Sequence, residues 1–67
     1  MRRGDSERIY FAKRAGFLAR LASQLRMSEE RAEGLLATLE AEWAAQGRQR
    51  DSVEFWAEAE RRASGPQ

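Results

Sequence analysis

The strongest periodic pattern along the chain runs from Met27 to Gly47, where apolar residues recur at steps of three and four. Such spacing places their side chains on one face of a helix. Ser28 is a candidate N-cap for this helix, and Gly47 is a candidate C-terminal stop. The apolar positions are Ala32, Leu35, Leu36, Leu39 and Trp43. Because a helix of this length is marginal alone in water, we expect the flanking segments to cover its apolar face.

A second amphipathic pattern precedes it and extends without proline to Arg26. Asp5 or Ser6 can cap this first helix. Its apolar positions fall on one side of a helical wheel and comprise Tyr10, Phe11, Phe17, Leu18, Leu21, Ala22 and Leu25. Ile9 and Gly16 lie away from that side and mark a candidate contact patch.

Only a couple of residues connect these two predicted helices, which must therefore fold back on each other as a hairpin. Antiparallel pairing about this turn brings apolar positions together along the whole length of both helices. The matched positions are Leu25 with Ala32, Leu21 with Leu35, Phe17 with Leu39, and Tyr10 and Phe11 with Trp43. This agreement between the two patterns is the main support for the hairpin.

A shorter apolar pattern follows and predicts a third helix, with Asp51 and Ser52 at its capping end. Its apolar positions are Val53, Phe55, Trp56, Ala59 and Ala63, and Gly65 and Pro66 end it. The predicted fold is all-α, a small three-helix bundle made of a helical hairpin plus a shorter third helix. We expect the bundle to span residues 6–63, between disordered tails at residues 1–5 and 64–67. Five residues form an aromatic end of this bundle: Tyr10, Phe11, Trp43, Phe55 and Trp56.

Composition narrows the possible functions. The 67 residues predict one domain, and they include neither Cys nor His, which removes thiolate chemistry and the commonest metal ligand. No nucleophile has a positioned base, so we predict no enzyme activity, no metal and no cofactor. The sequence has no apolar run of about 20 residues and no signal-peptide core at its N-terminus, which predicts a cytoplasmic protein without a membrane partner. Its Arg- and Ala-rich, Lys-poor usage is typical of a GC-rich bacterial genome.

Charge is unevenly distributed along the chain. Residues 1–27 contain seven basic and two acidic side chains, whereas residues 28–67 contain five basic and nine acidic ones. This asymmetry indicates either a basic surface for an anionic partner or a basic helix packed against acidic ones. We favour the second interpretation for so small a protein.

Arg14 is surrounded by apolar positions at helical spacing, so its stem should lie on the apolar face of the first helix. The hairpin register places Glu40 and Glu42 level with it. We predict a structural ion pair of Arg14 with these glutamates, or stacking of its guanidinium on an indole ring, with anion binding as the alternative.

Residues 21–36 resemble the generic helix-turn-helix pattern of DNA-binding proteins, through Leu21, Leu25, Met27 in the turn, and the inward positions of the next helix. The resemblance implies that the second helix enters the major groove. That helix, however, begins with Glu29 and Glu30, whereas affinity for DNA comes largely from neutralising phosphates. A second route to nucleic acid is the basic outer side of the first helix. The candidate partner-binding residues there are Arg8, Lys13, Arg20 and Gln24.

Small residues form a strip on the second helix, away from its leucines, and such a strip can seat another helix closely. This candidate dimer face comprises Gly34, Ala37, Ala41 and Ala45. The alternative is that alanine is simply the best helix former. We expect a monomer or a weak homodimer.

By elimination, we expect a non-catalytic protein–protein interaction module, such as a small accessory, adaptor or inhibitor protein, with nucleic-acid binding as the alternative.

Overall fold

Three helices make up most of the molecule. The computed structural model describes residues 3–65 and contains α1 (Arg3–Gln24), α2 (Glu29–Ala45) and α3 (Val53–Ser64). The central helix α2 packs against both α1 and α3. The predicted three-helix bundle, with a helical hairpin and a shorter third helix, is therefore confirmed.

Serine caps begin the second and third helices, as predicted. Ser28 is the N-cap of α2, and its hydroxyl oxygen accepts a hydrogen bond from the Arg31 amide at 3.2 Å. Ser52 does the same for α3, where its hydroxyl oxygen accepts from the Phe55 amide at 3.1 Å. Each cap satisfies an amide that has no partner within its own helix, which is why the two helices begin at these residues.

The turns that follow α1 and α2 both contain a left-handed residue. Gly47 has φ of 69° and closes α2 as predicted: its amide donates to the Ala44 carbonyl, and the next amide, of Arg48, donates to the Trp43 carbonyl. After α1 the corresponding residue is Arg26, with φ of 54°. A residue with a Cβ is disfavoured in this conformation, so the turn between α1 and α2 is held by the packing of the hairpin.

The first helix begins earlier than predicted. Asp5 and Ser6 lie inside α1, so neither is its N-cap, and residues 3–5 are not a tail that precedes it. Gly4 lowers helix stability by only about 1 kcal/mol, which does not stop a long helix from running back through it. At the other end, Ser64 belongs to α3. The remainder of the predicted tails, residues 1–2 and 66–67, lies outside the described residues.

The core collects one stripe from each helix. Its buried members are Tyr10, Phe17, Leu21, Ala32, Leu36, Leu39, Trp43, Phe55, Ala59 and Ala63. Four predicted apolar positions are instead exposed: Phe11, Ala22, Leu25 and Val53. Phe11 and Ala22 lie about a quarter-turn or more around α1 from the buried stripe, because the apolar positions of α1 are spread more widely than one interface can cover. Leu25 lies in the turn just beyond the end of α1. Val53 is the first residue of α3 and has no neighbouring helix on its side.

The predicted aromatic end is present, with Phe55 at its centre. The Phe55 ring centroid lies 5.0 Å from that of Trp56, 5.7 Å from that of Trp43 and 6.0 Å from that of Tyr10. Phe11 contacts the edge of Tyr10 from outside, and Phe17 joins the cluster through Trp56 at 5.4 Å. These edge-on contacts tie all three helices together at one end of the bundle.

Candidate interaction surface

The basic residues of α1 mostly face their own protein. The ammonium of Lys13 contacts Asp51 Oδ1 at 3.0 Å, and the guanidinium of Arg20 donates to Glu60 of α3. Two of the predicted partner-binding residues are thus already engaged with carboxylates. The other two, Arg8 and Gln24, are exposed. The pairs of Lys13 and Arg20 agree with the interpretation favoured from the charge distribution, in which the basic first helix packs against acidic parts of the protein.

Arg14 forms a bridge between α1 and α2. Its Nε lies 2.9 Å from Glu40 Oε2, and one terminal nitrogen lies 2.9 Å from Glu33 Oε1. The hydroxyl of Tyr10 donates to the same oxygen of Glu40. Partial burial opposes the charge on Arg14, but its hydrogen bonds to the two carboxylates raise its pKa above the usual value. Burial, followed by the hydrogen bond and charge of Glu40, raises the pKa of Tyr10 well above its usual range.

The predicted pairing of Arg14 with Glu42 is wrong. Glu42 accepts instead from Arg62 of α3, at 2.6 Å, because two residues along a helix lie on nearly opposite sides and Glu40 already faces α1. Arg62 also binds Glu58. Hydrogen bonds from Arg61 and Arg62 lower the pKa of the Glu58 carboxyl to about 2.

Stacking of a guanidinium on an aromatic ring occurs at the aromatic end, but through other arginines than Arg14. The guanidinium carbon of Arg48 lies 4.0 Å from the Trp43 ring centroid, and that of Arg50 lies 4.1 Å from the Tyr10 ring centroid. Both arginines belong to the loop between α2 and α3. They lie over the rings in cation–π contacts, and Arg50 also lies 5.4 Å from the Phe11 ring centroid, so these arginines stabilise the aromatic end.

An open groove of about 410 Å³ lies between α1 and α3. Phe17 and Trp56 contribute aromatic surface to it, and Gly16 has no atom within 4 Å of where a Cβ would stand. The cations in its lining, Lys13 and Arg20, are paired as described above. The groove therefore offers apolar surface without an unmatched charge to select a ligand.

The predicted dimer face on α2 is exposed throughout. Its members are Gly34, Ala37, Ala41 and Ala45. A Cβ added at Gly34 would meet no atom within 4 Å, so nothing in the described residues covers this strip. The strip has room for another helix but contains no group that selects one, and its role stays a prediction.

One side of α1 exposes apolar residues that, apart from Ala15, the sequence pattern assigned to the core. We call it the uncharged face, and it consists of Phe11, Ala15, Leu18 and Ala22 of α1, together with Leu25 just after the helix. Phe11 is 52% exposed and Leu25 is 44% exposed, the two alanines are exposed, and Leu18 is half-buried. The charged residues of the same stretch point elsewhere, since Arg14 faces α2 while Lys13 and Arg20 face Asp51 and α3. The spacing of this face alternates steps of four and three, but so does that of the buried residues of α1, so the sequence did not distinguish the two faces.

In the segment that resembles a helix-turn-helix, the two glutamates at the start of α2 remain on the surface. Glu29 and Glu30 are exposed in the first turn of α2, where the motif would approach DNA.

Within residues 3–65, no group of three or more acidic, His or Cys residues is placed to hold a metal ion. None of the helices in the described part of the chain combines the length and hydropathy of a membrane span.

Comparisons with known proteins give no family to which these features can be assigned. No protein-family model, curated protein or solved structure matches this chain. Its function must therefore be argued from its own surfaces.

Proposed function

We propose that the chain is a non-catalytic protein–protein interaction module, an accessory, adaptor or inhibitor protein of the bacterial cytoplasm that docks through the uncharged face of α1. The observation that carries this proposal is the exposure of Phe11 and Leu25 at the two ends of this face. Exposed apolar surface on one side of a helix can mark a site that another protein covers. The centre of a protein interface is likewise depleted of charged residues.

Nucleic-acid binding has less support as the alternative. Lys13 and Arg20 would have to break their pairs with Asp51 and Glu60 before they could contact phosphates. The glutamates at the start of α2 add repulsion at the end that would approach DNA. We expect no retardation of random duplex DNA at low salt in a mobility assay. Retardation that weakens as salt is raised would favour the alternative instead.

Site-specific photo-crosslinking tests the docking surface directly. A photoreactive aromatic amino acid at Ala15 lies in the middle of the uncharged face, and the same amino acid at Ala57 is the matched control. Ala57 is also an exposed helical alanine, but it lies on the outer side of α3, away from that face. In bacterial cells, we expect a protein adduct from Ala15 and none from Ala57. The proposal is wrong if Ala15 gives no adduct, or if both positions crosslink equally.

A further inference from the structure

We draw no further inference here: the strongest candidate, the open groove between α1 and α3 over Phe17 and Trp56, has both of its cations paired with carboxylates, and nothing in the structure shows what covers it.

Discussion

The two apolar faces of α1 contain similar residues, but one face is buried in the bundle and the other is exposed. On the inner face, Tyr10, Phe17 and Leu21 are buried, and Arg14 connects them to α2 through paired carboxylates. On the uncharged face, Phe11 and Leu25 are about half exposed, and the guanidinium carbon of Arg50 lies 5.4 Å from the Phe11 ring centroid. A surface helix ordinarily shows its charges to water and hides its apolar side chains. Phe11, and Leu25 just beyond the end of α1, depart from this rule, which is why we assign the exposed side to a partner.

Substitution of the two phenylalanines should give the largest contrast between the faces. Phe17→Ala removes a ring that is 7% exposed and that contacts Trp56, and it should lower the free energy of unfolding by about 3–5 kcal/mol. Phe11→Ala removes a ring that is 52% exposed, and it should cost about 1 kcal/mol or less. Urea denaturation of the two variants at one protein concentration measures both. Equal losses would show that the two faces are packed alike.

The arginines of the same helix provide a contrast of intermediate size. Arg14→Ala removes two charge-assisted hydrogen bonds and leaves Glu40 partly buried, so we expect a loss of about 1.5–3 kcal/mol in the free energy of unfolding. Arg8→Ala, at an exposed position, should change it by no more than about 0.5 kcal/mol. Chemical denaturation of both variants at one pH provides the test. An Arg14→Ala variant as stable as the wild type would contradict a structural role for this bridge.

The smallest expected effect concerns the hydroxyl of Tyr10 and is best seen through pH. Because the folded pKa of Tyr10 is raised, its contribution is fully present below the unfolded pKa of about 10 and is lost as pH rises toward the folded value. Tyr10→Phe should cost about 1 kcal/mol at neutral pH, through the lost hydrogen bond to Glu40. The variant should then lose less stability than the wild type above about pH 10. Thermal unfolding across this range, followed for both proteins, detects the difference, and parallel profiles would contradict it.

Local signals predicted the elements of this fold, whereas the surfaces depended on how the helices pack. Ser28, Ser52 and Gly47 act within one turn of the chain, so their capping roles follow from sequence alone. The third helix could not be positioned in that way, and it is α3 that takes Glu42 away from Arg14. Likewise, a helical wheel shows that α1 has many apolar positions but not which of them a neighbouring helix covers.

For the same reason, the sequence did not reveal the interface proposed on α1. Phe11 and Leu25 have the residue types of core positions, and only the arrangement of the bundle shows them on its surface. The candidate residues Lys13 and Arg20 present the opposite case. They have the residue types of a contact surface, but they form ion pairs with Asp51 and Glu60, which lie far along the sequence.

The concentration of both indoles at the aromatic end determines what an optical experiment on this protein reports. Trp43 and Trp56 are the only tryptophans, and both contact Phe55. Intrinsic fluorescence is therefore a local probe of that end, while far-ultraviolet circular dichroism averages over all three helices. Coincident transitions from the two signals would identify cooperative, two-state unfolding. A dichroism change that precedes the fluorescence change would reveal that helical structure is lost before the aromatic end opens.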